Sequence, residues 1–376
     1  MSGPIVLAAG GTGGHLFPAQ ALASELSQRG HRLVLVTDRR AGTFGEGLAT
    51  LESHTIHAGT FRGRGLVKRL RGVVGIIVGL FEARFLLGRL APAGAVGFGG
   101  YPSLPTMFGA SGMGVPTVIH EQNAVLGQVN RLMAGRVSAI ATSFATTQRV
   151  KQPARVTHTG NPVRPAIAAL SEAPYTAPEP GGPVRLLVFG GSQGSQIFSR
   201  VVPDALSALS EALRARLSVS QQCRPEDLEG VRAHYGEAGI EASLSSFFED
   251  MAERLGGAHL VICRAGASTI AELSAVARPA ILVPYPLAVD DHQRANAAAL
   301  ADAGGAWLMD QDGFTPPNLA ARLEGLLTEP GTLASAAENA RRLGRPDAAH
   351  RLADLVERVT GTNGRRTPTL PQEDAA

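Results

Sequence analysis

Short, strongly apolar runs recur along the chain, each followed by a glycine-rich or polar turn and then by a stretch with helical spacing. PIVLAA (Pro4–Ala9), HRLVLVT (His31–Thr37), GAVGFGG (Gly94–Gly100), PTVIHEQ (Pro116–Gln122) and VSAIATS (Val137–Ser143) read as buried strands. Strands alternating with helices at this spacing predict parallel βαβ units. SEAPYTAPEPGGP (Ser171–Pro183) then concentrates proline, glycine and small polar residues and reads as a linker. The pattern restarts at Val184 and adds strands at LSVSQQ (Leu217–Gln222), HLVICRAG (His259–Gly266) and PAILVPY (Pro279–Tyr285). The expectation is two similar α/β halves, with a disordered polar tail after Thr360.

Each half opens with a strand, a glycine loop and a helix: LAAGGTGGHLFPAQALASEL (Leu7–Leu26) and VRLLVFGGSQGSQIF (Val184–Phe198). Such a turn makes an anion cradle, because free N–H groups and the helix dipole point at one spot. No Gly-Lys-Ser/Thr closes the first loop, and it does not fit G-x-G-x-x-G. Asp38 ends the next strand, so a dinucleotide-binding oxidoreductase, with Asp38 or Arg39 and Arg40 at the ribose, stays open. A second glycine loop speaks instead for a transferase that joins a nucleotide donor to another substrate across a cleft.

CRAGASTIAEL (Cys263–Leu273) is another strand, turn and helix. Its spacing brings Ser268, Thr269 and Glu272 together near the helix start, where hydroxyls and N–H groups suit a diphosphate and a carboxylate suits ribose hydroxyls. An N-cap with a capping-box glutamate would use the same residues. VPYPLAVDDHQRANAAAL places Asp290, Asp291, His292, Gln293 and Asn296 before a helix, either as readers of sugar hydroxyls or as ordinary helix-start residues. IHEQN puts His120, Glu121, Gln122 and Asn123 at another strand end, and TGNPVR puts Arg164 between the halves.

The 376 residues are too many for one ordinary core, and 44% apolar content with 5% aromatics describes an α/β protein. Cys223 and Cys263 stand far apart, which excludes a disulfide framework and fits a reducing compartment. The start shows no basic n-region, so no signal peptide is expected. The net charge of +3 hides an asymmetry: 17 lysines and arginines face 6 acidic residues up to Arg164, and 18 face 26 beyond it. The halves thus carry +11 and −8, which predicts that the first faces an anionic surface. LVKRLRGVVGIIVGLFEARFLLGRL (Leu66–Leu90) supplies a means. Lys68, Arg69 and Arg71 precede a charge-free stretch, Gly72–Phe81, and Glu82, Arg84 and Arg89 follow. That is too short to span a bilayer, which needs about 20 apolar residues. It suits lying on an anionic leaflet through Ile76, Ile77 and Phe81. Glycines at 72, 75 and 79 would equally allow an ordinary packed helix.

In order, GGTGGH, GFGGYPS, HEQN, GNPVR, GGSQG, CRAGASTIAE and HQRANA resemble the MurG family, which adds N-acetylglucosamine to lipid I to form lipid II in peptidoglycan synthesis. The resemblance spans nearly the whole chain. It implies a GT-B fold of two Rossmann-like domains whose parallel sheets face a deep cleft. The domains would be 1–164, joined by a last helix at about 346–359, and 165–345, with the tail at 360–376. It further implies UDP-N-acetylglucosamine as donor. Thr12, Gly13, Gly14, Asn123, Arg164 and Ser192 would lie near the donor, and the main chain of Phe248 would read the uracil. Ala267, Ser268 and Thr269 would hold the diphosphate, Glu272 the ribose, and His292 and Gln293 the sugar. His15 is expected as general base, with Glu121 as the alternative base and loop positioning as the alternative role for His15. Two departures stand out: His292-Gln293 replaces the family's frequent glutamine pair, and SQQCR (Ser220–Arg224) replaces its His-Gln-Ser/Thr-Gly. The expected protein is an inverting, metal-independent transferase without cofactor or nucleic acid. It would sit peripherally on the cytoplasmic face of the inner membrane, with lipid I as acceptor and cell-wall synthesis and division proteins as partners. A non-catalytic UDP-sugar-binding scaffold is the other alternative.

Overall fold

The computed structural model describes residues 3–10, 13–38, 48, 50–59, 66–191 and 194–362, without the side chains of 66–71 and 330. Thr12, Arg39, Arg40, Ser192 and the tail from 363 lie outside the described residues, as do the side chains of Lys68, Arg69 and Arg71. The chain forms two compact units. One comprises Met1–Gln122, Leu126–Pro162 and Asp347–Ala376; the other comprises Asn123–Val125 and Val163–Pro346.

The first unit runs β1 (Ile5–Ala8), α1 (Gly13–Gln28), β2 (Leu33–Thr37), β3 (Glu52–Thr55), α2 (Leu66–Leu90), β4 (Gly94–Gly97), α3 (Gly100–Gly112), β5 (Thr117–Glu121), α4 (Gln128–Met133), β6 (Ala139–Thr142) and β7 (Val156–His158). Its strands make one parallel sheet in the order β3-β2-β1-β4-β5-β6-β7. Alternate residues of β1 feed opposite layers: Ile5 and Leu7 join one buried cluster, Val6 and Ala8 the other. Covering a parallel sheet on both faces requires this continuous apolar run. The last helix, Ala348–Thr360, closes one face, setting Leu352, Leu355 and Val356 in the same cluster as Ala19 and Leu22. Arg29 ties it down through Asp354 (2.6 Å) and Glu357 (2.7 Å).

The second unit holds α5 (Pro165–Ala168), β8 (Val184–Phe189), α6 (Gln196–Ser207), α7 (Glu211–Arg214), β9 (Leu217–Gln222), α8 (Leu228–Glu237), β10 (Glu241–Ser245), α9 (Met251–Gly257), β11 (Leu260–Cys263), α10 (Ala267–Ala275), β12 (Ala280–Leu282), α11 (His292–Asp302), β13 (Ala306–Leu308), α12 (Pro316–Thr328) and α13 (Pro330–Leu343). Its parallel sheet has the order β10-β9-β8-β11-β12-β13. The two units therefore share the doubly wound arrangement, in which strand order reverses beside the opening strand. Ligands of such sheets bind at the carboxyl ends of the strands flanking that reversal. In the first unit those strands are β1 and β4, in the second β8 and β11. Each is followed by a glycine motif: GGTGGH, GFGGYPS, GGSQG and CRAGAS respectively.

The segment Ser171–Pro183 is not a linker between the units. It lies wholly within the second, because arginine side chains bind its carbonyls. Arg341 reaches Ser171 O (2.6 Å) and Ala173 O (2.8 Å), and Arg216 reaches Gly182 O (2.6 Å). Tyr175 also donates to His259 O at 2.9 Å. Proline and glycine here shape an ordered surface segment, and the units divide earlier, after Pro162.

Helix α2 has a close-packed glycine face and an exposed apolar face. A Cβ at Gly79 would stand 1.8 Å from His57 O, so the glycine face takes the adjoining backbone against it. Gly79→Ala is therefore expected to lower stability by about 1–3 kcal/mol, as overpacking does, read by chemical denaturation. The opposite face exposes Val74, Ile77, Phe81 and Phe85. Ile76 is not on that face. One residue away from Ile77, it is turned inward and packs against the buried cluster of Val6, Ile56 and Ala83.

Candidate functional site

At the carboxyl end of β1, His15 sits in the first turn of α1, half-buried. Its Nδ1 lies 3.1 Å from Gln122 Oε1. Gln122, just past β5, donates through Nε2 to Phe98 O (3.0 Å) and to His120 Nδ1 (3.0 Å), with His120 O at 3.2 Å. His120 donates from Nε2 to Gly160 O at 3.1 Å. The other edge of the His15 ring lies against Gly100, where an added Cβ would stand 3.3 Å from Nε2. Gly99 and Gly100 both take positive φ (83° and 71°), a conformation that favours glycine and opens the turn into α3 beside the imidazole. Gly13 and Gly14 form the start of α1 beside His15. Glu121 is buried and turned the other way: its Oε2 accepts from Gly127 N and Asn130 Nδ2, both at 2.8 Å. Those bonds order the turn into α4.

Complete burial lowers the His120 pKa from 6.5 to about 4 and keeps the ring neutral. A histidine depressed in the fold stabilises above its unfolded pKa, and that share is lost as pH falls from 6.5 through about 4. The shift is worth about 3 kcal/mol at the acid end. Burial lowers His259 to about 4 as well, so both act in one window. Thermal unfolding is expected to become acid-sensitive over that window, and less so in His120→Asn. A variant with an unchanged slope would contradict the neutral-histidine assignment.

In the second unit, β11 ends at Cys263, and Gly266 is the N-cap of α10 without any side-chain cap. The capping-box use of Ser268 and Glu272 is thus not realised. Ser268 Oγ is buried without a hydrogen-bond partner among the described residues, beside the free N–H groups of the helix start. Ala267 and Thr269 share that turn. Glu272 pairs two-pronged with Arg164, Oε1 to Nε at 2.8 Å and Oε2 to Nη2 at 3.1 Å. Gln293 Oε1 accepts from Ala265 N (3.2 Å) and Tyr285 N (2.9 Å), which fixes the amide so that its NH2 group faces away from those backbone donors. His292 Nδ1 donates to Val289 O at 2.7 Å, leaving Nε2 as an acceptor. Asp290 and Asp291 before it both take positive φ (55° and 52°), local strain of the kind that clusters at binding loops. Asn296 is fully buried and binds Ala124 N (2.8 Å), Asn123 Oδ1 (3.1 Å) and Ala265 O (3.1 Å), which sets Asn123 beside the β11 turn. Phe248 is buried under the Arg254 guanidinium, 4.2 Å from its ring centroid.

Two residues of this half escaped the sequence reading. Arg264 is buried at the end of β11 and reaches Ser195 Oγ (3.0 Å), Gln311 Oε1 (2.7 Å) and the carbonyls of Val283 and Pro284. Its signal was an arginine closing an otherwise apolar strand. Gln222, in the departing SQQCR stretch, links Gly190 N (3.1 Å) to Ser246 O (3.1 Å). It joins the second glycine loop to the turn that carries Phe248.

Residues 5–142 match the glycosyltransferase family 28 N-terminal domain, and 185–352 match the family 28 C-terminal domain. The chain belongs to glycosyltransferase family 28. Relatives similar to it include the UDP-N-acetylglucosamine--N-acetylmuramyl-(pentapeptide) pyrophosphoryl-undecaprenol N-acetylglucosamine transferase of Paramagnetospirillum magneticum, 58% identical over 94% of this chain and 95% of that one. The enzyme of the same name from Rhodospirillum rubrum is 55% identical over 98% and 95%. The crystal structure of Acinetobacter baumannii MurG aligns with a TM-score of 0.78 and 29% identity, covering 95% of this chain and 99% of that one. The two family 28 matches begin within β1 and β8, the strands that open the two doubly wound sheets.

Proposed function

We infer that this chain is an N-acetylglucosaminyltransferase that moves N-acetylglucosamine from UDP-N-acetylglucosamine to lipid I, giving lipid II. The observation that carries this is identity above half, over nearly the full length, with transferases named for that donor and acceptor. The same family match displaces the oxidoreductase reading of Asp38.

We propose the following roles. The 4-hydroxyl oxygen of the muramyl sugar attacks the anomeric carbon, the bond from that carbon to the UDP oxygen breaks, and the configuration inverts. The hydroxyl proton passes to His15 Nε2. Charge on the departing diphosphate is met by the α10 N–H groups, the orphaned Ser268 hydroxyl, Thr269 and Arg164. Glu272, held flat by Arg164, keeps lone pairs for ribose hydroxyls. Gln293 donates and His292 accepts at the sugar. Glu121 does not compete as base, since its carboxylate is engaged in ordering a turn.

We further propose a peripheral position on the cytoplasmic face of the inner membrane, supported by the exposed apolar face of α2 with Arg84 and Arg89 among it. No helix among the described residues is long and apolar enough to cross a membrane. The direct test is conversion of lipid I and labelled UDP-N-acetylglucosamine to lipid II by the purified chain. Donor binding without product would leave the scaffold reading.

A further inference from the structure

Gln122 is not among the residues given a role in transfer, yet it is the partner of the proposed base. Its amide orientation is forced. The Nε2 end faces two carbonyl oxygens, of Phe98 and His120, and a flipped amide would set its oxygen against both. With Nε2 fixed there, Oε1 is the atom that faces His15 Nδ1. An amide oxygen only accepts, so that contact requires a hydrogen on Nδ1.

We propose that Gln122 is a positioning residue that locks His15 as the Nδ1–H tautomer and so leaves the Nε2 lone pair bare on the ring edge beside Gly100. The lock is itself anchored. His120 Nδ1 accepts the second Gln122 hydrogen, which its own Nε2–H bond to Gly160 O makes it free to do. A chain of hydrogen bonds thus runs from Gly160 through His120 and Gln122 to His15, anchored at one end by a carbonyl that can only accept. The ring of His120 packs on Phe98 with centroids 5.8 Å apart, which holds the first link in place. A histidine serves as base only through the nitrogen that lacks the proton, so the tautomer decides whether the exposed nitrogen can act. The catalytic consequence rests on the reading of His15 as base; the tautomer itself does not.

Long-range nitrogen–proton NMR on the full-length chain, labelled at histidine nitrogens, tests it, with the His15 signals identified by their loss in His15→Asn. In the unsubstituted protein His15 should show a protonated Nδ1 and a bare Nε2. Gln122→Met, close in size but without the amide, should move His15 toward Nε2–H. It should lower kcat about 10-fold, less than the roughly 10²-fold or more lost with the base itself, and leave the donor KM within about twofold. An Nε2–H tautomer in the unsubstituted protein overturns the lock without any variant having to fold. An unchanged tautomer in a folded Gln122→Met overturns it too. A tautomer that moves while kcat stays put upholds the lock and overturns the reading of His15 as base.

Discussion

His15→Ala is expected to lower kcat by about 10²–10⁴-fold while donor affinity stays within a few fold, because a positioned base contributes that much to proton transfer. The split follows from where the residues lie. His15 belongs to the turn after β1, whereas Ser268, Thr269, Glu272 and Gln293 all belong to the second unit and keep their backbone and ion-pair partners when His15 is cut back. The ring is half-buried and makes one side-chain hydrogen bond among the described residues, to Gln122, so its loss should cost the fold little. Steady-state kinetics with both substrates varied, alongside calorimetric titration with UDP, measure the split. A normal kcat with only a raised acceptor KM would make His15 a positioning group and reject its role as base. Glu121→Gln makes the contrast. It keeps an acceptor for Gly127 N and Asn130, so its effect should fall on stability before rate.

The sequence pattern carried the central strands and the glycine motifs after β1, β8 and β11, since a strand buried on both faces must be a continuous apolar run, but it ran Gly99 and Gly100 into the strand that ends at Gly97. It missed β3, β7, β10 and β13, and each of these is the edge of a sheet. Edge strands have one neighbour and less cover, so Glu52–Thr55 carries polar, largely exposed side chains, and Glu241–Ser245 sets only Ala242 and Leu244 against the core, with no apolar run to find. Ser171–Pro183 failed for a different reason. Its composition describes a chain without periodic structure, but the carbonyl-binding arginines that order it lie up to 170 residues away. The site divides along the same line. Ser268 and Thr269 were legible because a helix start is local. The Arg164–Glu272 pair spans 108 residues, and the His15–Gln122 bond spans 107. No spacing rule reaches that far.

Replacing Phe81 and Phe85 with serine is expected to weaken binding to anionic vesicles by about 10²-fold while leaving the fold within about 0.5 kcal/mol. Both rings are about 70% exposed, at 69% and 70%, so the folded chain gains little from them in water. Burying even part of each ring in an interface is worth more than 1 kcal/mol, and every 1.4 kcal/mol is tenfold. Arg89 lies over the Phe85 ring at 5.8 Å, which places a cation at the level where headgroup phosphates would meet it. Arg84 is exposed on the same helix, and each such charge near an anionic leaflet adds about 1 kcal/mol that salt screens away. Ile76 is the internal control. Because it packs against the buried cluster, Ile76→Ser should lower the unfolding midpoint, whereas Ile77→Ser should lower vesicle binding. Co-sedimentation with neutral and anionic vesicles across salt, paired with thermal unfolding, reads both. Equal binding to the two vesicle types, or binding untouched in the Phe81→Ser, Phe85→Ser protein, would remove α2 from the membrane and leave its exposed face to another partner.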